Sequence, residues 1–370
     1  MKILLTGGGT AGHIFPLIAL VREIKQLDIG KDIQFVYLGP KDEFAKLSFL
    51  QEGIAVKTIL AGKMRRYFSF RNILDMLKVP LGMLQAFFYI FIFSPDIIFS
   101  KGGYGSLPVV IPGWILLTPI FLHESDAAPG LANKIAGKLA LEIFTAFPVE
   151  KTEYFPAKKM ISVGNPIRAG ILKGSAASAK KHFALTGEKP VVLVLGGSQG
   201  AQRINNVILV ILSEFLKQFE VIHQTGKRNF ESIKNEASIV IKKEQQKEYH
   251  PVPFLDETAL SHAYKAADLI VSRAGAGTIF EIAAVKKPSI IVPLRGSAQN
   301  HQVKNAYAYA ENGAAEVLED ANFTPHFFLE RIKYLFSQKG KLSLMARKAG
   351  EFAKPDAARI IAKYLLAYLE

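Results

Sequence analysis

Four glycine-rich stretches carry the residue types that hold phosphate. They are Gly7-Gly8-Gly9-Thr10-Ala11-Gly12-His13, Lys101-Gly102-Gly103-Tyr104-Gly105-Ser106, Gly196-Gly197-Ser198-Gln199-Gly200-Ala201 and Ser272-Arg273-Ala274-Gly275-Ala276-Gly277-Thr278. Glycine lets the backbone come close to a ligand, and free N–H groups at a helix start attract phosphate oxygens. A single loop of this kind is explained equally well by glycines packing a helix on a strand. Four, each behind its own apolar run, point to a phosphate-rich ligand and a second anionic partner. Gly7-x-Gly9-x-x-Gly12 also matches the dinucleotide fingerprint, which needs an acid at the tip of the second strand. That run ends Tyr37-Leu38-Gly39-Pro40, with Asp42 too late, so NAD is disfavoured. Glu281, placed in or near the first turn of the helix after the Gly275/Gly277 loop, is either a helix N-terminal acid or a grip on a ribose diol.

The elements that would position these groups alternate strand and helix. Lys2–Thr6 and Val191–Leu195 are buried runs, each leading through glycines into an apolar-periodic helix, Ile14–Gln26 and a segment ending near Leu216. Strand, glycine turn and helix open a doubly wound parallel sheet, and two openings imply two such domains. Gln34–Leu38, Ile97–Ser100, Ile120–His123, Val221–Gln224, Leu269–Ser272 and Ser289–Val292 read as further strands. The 370 residues suit two domains at roughly 150 each. The boundary is expected near Gly164-Asn165-Pro166, giving domains 1–164 and 165–350. Residues 351–370 form a C-terminal helix whose destination pattern alone leaves open. Ligands of such sheets bind beyond the strand carboxyl ends, so two domains would face each other across a central cleft.

Composition narrows the chemistry. The chain has no cysteine, which excludes disulfides, cysteine zinc sites and thiol catalysis. A formal charge of +14 draws it to anions, but zinc-finger spacing and a basic heptad region are both missing, which disfavours nucleic acid. Ile3-Leu4-Leu5 is far short of a signal-peptide apolar region, so a cytosolic origin is expected.

Taken together and in order, GGGTAGHIFP (7–16), KGGYGS (101–106), HESDAAPGLANK (123–134), GNPIR (164–168), GGSQGAQ (196–202), SRAGAGTIFE (272–281) and QNHQVKNA (299–306) resemble the MurG family. The resemblance implies an α/β GT-B fold of two Rossmann-like doubly wound domains. The implied enzyme is an inverting hexosyltransferase that moves N-acetylglucosamine from UDP-GlcNAc to undecaprenyl-pyrophosphoryl-MurNAc-pentapeptide (lipid I), forming lipid II in peptidoglycan synthesis. Donor residues carried over by motif are Glu281 for the ribose, Ala276, Gly277, Thr278, Ile279 and Phe280 along the diphosphate, and Arg168 and Ser198 on the phosphates. Leu255 would meet uracil through its backbone, and Gln302, with His301 as alternative, the sugar hydroxyls. Thr10, Ala11, Gly12 and His13 would line the sugar and acceptor side with Asp126 and Asn133, and Gly102, Gly103 and Tyr104 would face the acceptor. Ser125-Asp126 stand where the family usually has Gln-Asn, which removes a donor and adds charge. Ala11 stands where Gly is common, and 295–300 is longer than usual.

Inverting displacement of UDP needs a base, a stabilised leaving diphosphate and alignment. The chain lacks an Asp-x-Asp metal signature. Helix N–H groups, Arg168 and Arg273 would then neutralise the diphosphate, and no metal or cofactor is expected. His13, at a helix start that disfavours its protonated form, is the first candidate base; positioning of the acceptor is its equal alternative, and Asp126 and Glu124 are rival bases. His123, ending an apolar strand, reads as structural. Lys63, Arg65, Arg66 and Arg71 interleave with apolar residues, and Val79–Phe93 follows as a Phe-rich run too short to span a bilayer. This suits peripheral attachment to the anionic cytoplasmic leaflet of the bacterial plasma membrane, against an ordinary buried helix. The competing readings are a GT-B transferase with another lipid acceptor, a UDP-sugar 2-epimerase and a non-catalytic nucleotide-sugar-binding subunit.

Overall fold

The computed structural model describes residues 1–8, 11–27, 32–62, 70–148, 154–197 and 201–370, with backbone alone at 70–77 and 298. Two compact units emerge: Met1–Ile167 with Pro355–Glu370, and Arg168–Lys354.

In the first unit the chain runs β1 (Lys2–Thr6), α1 (Ala11–Leu27), β2 (Gln34–Pro40), α2 (Glu43–Gln51), β3 (Ala55–Ile59), α3 (Phe70–Phe93), β4 (Ile97–Ser100), α4 (Leu107–Ile115), β5 (Ile120–Glu124), α5 (Leu131–Leu139), β6 (Glu142–Thr145) and β7 (Met160–Ser162). All seven strands pair in parallel, in the order β3-β2-β1-β4-β5-β6-β7. Their apolar runs are continuous because both faces are covered. On one face Ile3, Leu5, Phe99, Phe121 and Phe144 pack against Leu17, Val21 and Ile24 of α1. On the other, Leu4, Ile98, Ile120 and Leu122 meet Ala86 and Ile90 of α3, Val109 and Val110 of α4 and Ala136 of α5.

The second unit runs α6 (Ala176–Phe183), β8 (Val191–Leu195), α7 (Gln202–Phe215), β9 (Glu220–Gln224), α8 (Phe230–Val240), β10 (Tyr249–Val252), α9 (Glu257–Ala266), β11 (Leu269–Ser272), α10 (Ala276–Ala284), β12 (Ser289–Ile291), α11 (His301–Ala310), β13 (Ala315–Val317), α12 (Pro325–Ser337) and α13 (Lys341–Phe352). Its sheet is parallel, in the order β10-β9-β8-β11-β12-β13. In each unit the strand order reverses once, between β1 and β4 and between β8 and β11. Ligands of doubly wound sheets bind at that reversal, and the four glycine loops follow those four strands.

The last helix, α14 (Ala357–Leu369), belongs to the first unit. Its Ile361, Ala362 and Leu365 complete the α1 face of the core, and Tyr364 sets its ring edge-on to Phe144 at 5.4 Å. Burying Ile361 and Leu365 stabilises this return by about 2 kcal/mol each.

The second unit also buries a polar chain. His223 Nδ1 lies 2.9 Å from the Tyr249 hydroxyl and Nε2 3.0 Å from Asn205 Oδ1, while Asn205 Nδ2 donates to the Thr225 carbonyl. Burial pushes the imidazole pKa from 6.5 down to about 3. The folded state therefore binds its proton more weakly than the unfolded chain. The stability this provides is complete above about pH 6.5 and is lost as pH falls towards 3. His223→Gln should cost about 1–2 kcal/mol at pH 7.5 through weakened hydrogen bonds. Denaturant titrations from pH 7.5 to 4.5 should show a shallower loss of stability in the variant than in the wild type; parallel curves would contradict the assignment.

Candidate functional site

At the reversal point of the first unit, α1 begins at Ala11 without an acid in its first turn, and His13 is its third residue. The loop after β4 lies against it. Gly102 and Gly103 have φ of +81° and +85°, a region costly for L side chains. A β-carbon on Gly103 would stand 2.5 Å from the Gly8 carbonyl oxygen and 3.2 Å from His13 Nε2; one on Gly102 would overlap Asn133 Oδ1 at 1.9 Å. Bare backbone there lets His13 pack against Gly103 and Asn133 against Gly102 of the same loop. Tyr104 is half-buried beyond it, Ala11 is half-buried and Gly12 is exposed. Thr10 and Ser198 lie outside the described residues.

The end of β5 turns a tight polar corner beside that loop. Glu124 accepts from the Asp126 amide at 2.8 Å and from Asn133 Nδ2 at 2.7 Å. The Lys101 ammonium donates to Ser125 Oγ. Lys101 and Glu124 are 1% and 4% exposed, so both charges are desolvated. Burial pulls the lysine down to about 8, opposed by Glu124 and Asp126. Burial and then the Asp126 charge push the Glu124 carboxyl up to about 7, opposed by its two hydrogen bonds and by Lys101. His123 Nε2 donates to the Gly164 carbonyl at 2.9 Å and ties β5 to the segment after β7. Burial and the Lys101 charge keep its ring neutral, as befits a structural residue.

In the second unit, α10 starts at Ala276 behind an extended Gly275 that offers no side-chain cap. The N–H groups of Ala276, Gly277 and Thr278 lack intrahelical acceptors, and the first turn carries no acid, so an anion fits there. The side chains of Ala276, Ile279 and Phe280 are buried, which leaves backbone, Gly277 and Thr278 as the ligand-facing groups. Glu281 stands one turn further in than its spacing suggested, because the helix begins already at Ala276, directly behind the extended Gly275, and takes Gly277 into its first turn. Its environment is set by side chains instead of the helix end: Arg168 Nη2 donates to Oε1 at 3.2 Å and the Tyr264 hydroxyl to Oε2 at 3.1 Å. Glu257 Oε2 lies 4.0 Å from Arg168 Nη1.

Leu255 has its side chain buried just before Asp256, which caps α9 by accepting from the Ala259 amide at 2.8 Å. Gln302 is the second residue of α11; its amide donates to Ser297 Oγ at 3.2 Å and its Oε1 accepts from the Leu294 amide at 2.9 Å. Before it, Gln299 and Asn300 hold left-handed φ of 54° and 53°, strain of the sort found at ligand sites. Arg273 donates to the Val292 carbonyl at 3.2 Å and to Asp320 at 3.3 Å; these bonds tie the carboxyl end of β11 to the segments after β12 and β13, a structural use unlike the diphosphate contact considered for it. Lys101 and Tyr264 were assigned no role from the sequence. A lysine directly before Gly102-Gly103 was the visible signal for the first; a tyrosine on an apolar helix face gave none for the second.

Residues 3–145 match the family model described as glycosyltransferase family 28 N-terminal domain, and 191–361 the corresponding C-terminal domain. A relative from Clostridium tetani, a UDP-N-acetylglucosamine--N-acetylmuramyl-(pentapeptide) pyrophosphoryl-undecaprenol N-acetylglucosamine transferase, is 38% identical over 92% of this chain and 91% of its own. One of the same name from Clostridium kluyveri is 36% identical over 98% and 99%. Among solved structures, Acinetobacter baumannii MurG aligns over 99% of both chains with TM-score 0.74 and 24% identity. A UDP-GlcNAc 2-epimerase from Neisseria meningitidis, bound to UDP-GlcNAc, shares the fold at TM-score 0.69 and 14% identity over 99% of this chain and 100% of that one. With two Rossmann-like units of the GT-B fold and relatives matched over nine tenths of its length, the chain belongs to the MurG family of glycosyltransferases.

Proposed function

We propose that this enzyme transfers N-acetylglucosamine from UDP-GlcNAc to undecaprenyl-pyrophosphoryl-MurNAc-pentapeptide, lipid I, yielding lipid II and UDP. The observation that carries the reading is the near full-length identity of 36–38% to relatives named for that transfer. In the reaction, an acceptor hydroxyl oxygen attacks C1 of the donor sugar, the bond from C1 to the β-phosphate oxygen breaks, and UDP leaves with the electron pair.

The uncapped start of α10 receives the diphosphate through the amides of Ala276, Gly277 and Thr278. Arg168 adds a cation, and Ser198 joins it by motif. Glu281, held by Arg168 and Tyr264, grips the ribose, Leu255 meets uracil through its backbone, and Gln302, steadied through Leu294 and Ser297, reaches the sugar. In the first unit His13 takes the proton of the attacking hydroxyl, with the Gly102–Tyr104 loop and Asn133 on the acceptor. Thr10, Ala11 and Gly12 supply backbone beside it. Asp126 lies on the sugar side, and Glu124 shapes the corner from below.

Membrane attachment is supported by a patch on α3 and α4. Leu81, Leu84, Phe88, Phe91 and Ile92 of α3 are exposed, as are Trp114 and Ile115 of α4 and Leu117 just after it. Phe91 and Ile92 are 64% and 78% exposed, too much apolar area for a helix that only packs inward. Among the described residues no helix is long and apolar enough to cross a membrane. The helices are therefore read as lying on the cytoplasmic leaflet, with each immersed large side chain contributing about 1.5–3 kcal/mol. The cations Lys63, Arg65 and Arg66 and the Arg71 side chain, which would meet anionic headgroups, lie outside the described residues.

UDP release should require lipid I; acceptor-independent UDP release would favour an epimerase, and no release with either substrate mixture a binding subunit. With both substrates saturating, His13→Ala should lower kcat by about 100-fold or more, and near-normal turnover would remove the base role. Glu281→Ala should raise KM for UDP-GlcNAc by about 10- to 100-fold; an unchanged KM would remove the ribose grip. Changing Phe88, Phe91 and Trp114 together to Ser should abolish co-sedimentation with anionic vesicles while leaving UDP binding intact, and retained sedimentation would refute the patch.

A further inference from the structure

Lys101 is almost wholly buried, yet it is a cation placed among carboxylates at the edge of the candidate acceptor site. A buried ammonium is costly unless paired. Here its hydrogen bond goes to a neutral group, Ser125 Oγ, and its charge faces Glu124 and Asp126. Those three residues form one continuous corner after β5, whose shape is fixed from inside by Glu124. One Glu124 oxygen takes the Asp126 amide and the other takes Asn133. Asn133 in turn fills the space above Gly102, the residue next to Lys101. Lysine, serine, carboxylate, amide and bare glycine therefore close a ring. Without the ammonium, the buried Glu124 carboxylate would stand two residues from the half-buried Asp126, an arrangement that raises the proton affinity of Glu124.

We propose that Lys101 is a positioning residue for the transfer reaction. Its buried ammonium offsets the charge of Asp126 and pins Ser125, which favours the ionised form of Glu124 that holds the Asp126 and Asn133 amides in place. The Ser125-Asp126 pair is on this account one half of a charge-balanced unit whose other half is Lys101. The inference rests on the proposed transfer for its kinetic readout, but the corner itself has a readout without substrate.

Lys101→Met removes the cation that favours ionised Glu124, so the Glu124 carboxyl should titrate higher. The acid limb of kcat/KM should move up by about one pH unit, and kcat should fall by about tenfold or more while the affinity for UDP in the second unit stays unchanged. The double variant Lys101→Met/Asp126→Asn also removes the charge that pushes Glu124 up, so its acid limb should return towards the wild-type position and part of kcat should recover. A mere packing role for Lys101 would give no such rescue. The pH dependence of thermal stability, measured without substrates, should show the same upward shift in the single variant and return in the double. That readout survives failure of the transfer reading, which would appear instead as a wild-type enzyme without acceptor-dependent UDP release. If Lys101→Met does not fold, Ser125→Ala tests the same corner by removing only the hydrogen bond, with a kcat loss of about tenfold expected at unchanged UDP affinity. An unmoved acid limb with full turnover in Lys101→Met, a double variant no better than the single, or a Ser125→Ala enzyme with wild-type kcat would each overturn the proposal.

Discussion

The constraint on which this structure depends is the pairing of parallel strands with helices that begin where the strands end. A parallel strand delivers the chain to the carboxyl edge of its sheet, and the following helix starts there with amides that nothing in the helix can satisfy. At α2 and α9 a side chain meets part of the deficit, Asp42 accepting from the Ala45 amide and Asp256 from the Ala259 amide. At the starts of α1 and α10 the first turn carries no acid and no side-chain cap is seen at α10. Each unit keeps its open helix start beside the point where strand order reverses, and that coincidence makes a binding site out of a folding rule.

Around those starts the two units solve the electrostatic problem differently. In the second, Glu281 is neutralised by Arg168 and oriented by Tyr264, so a carboxylate can wait in a buried place for neutral hydroxyl donors. In the first, one lysine is set against two nearby carboxylates, and a chain of short hydrogen bonds through Glu124, Asn133 and the Asp126 amide converts that balance into shape. A rearrangement of charge in either place would change geometry before it changed affinity, because the groups concerned are packed against backbone, Gly102 above all.

The sequence was most informative where periodicity and glycine coincide. Ile97–Ser100 and Leu269–Ser272 are strands over the spans their apolar runs suggest, and the glycine loops after them sit at the reversal points. The edge strands were illegible for physical reasons. β3 is half exposed, so it shows no apolar run; β10 contains Pro251, tolerated because only one side of that strand is paired; β7 and β13 have three residues each. The destination of α14 depends on which groove its Ile361 and Leu365 find, a matter of tertiary packing that no local pattern encodes. For the site, residue types were readable but partners were not. Glu281 was visible as a ribose candidate, whereas its true helix position turned on α10 starting at Ala276 and including Gly277. Lys101 stood next to the glycines, yet its meaning depends on Ser125 and Glu124, brought to it only by the pairing of β4 with β5.

If the open start of α10 and the Arg168–Glu281 pair hold the donor nucleotide, UDP must bind there. A crystal structure of the protein grown with UDP tests it most directly. Diphosphate density should lie against the amides of Ala276, Gly277 and Thr278, with the ribose diol at Glu281 and the uracil at the Leu255 backbone. Well-ordered UDP bound elsewhere, with these groups untouched, would contradict it.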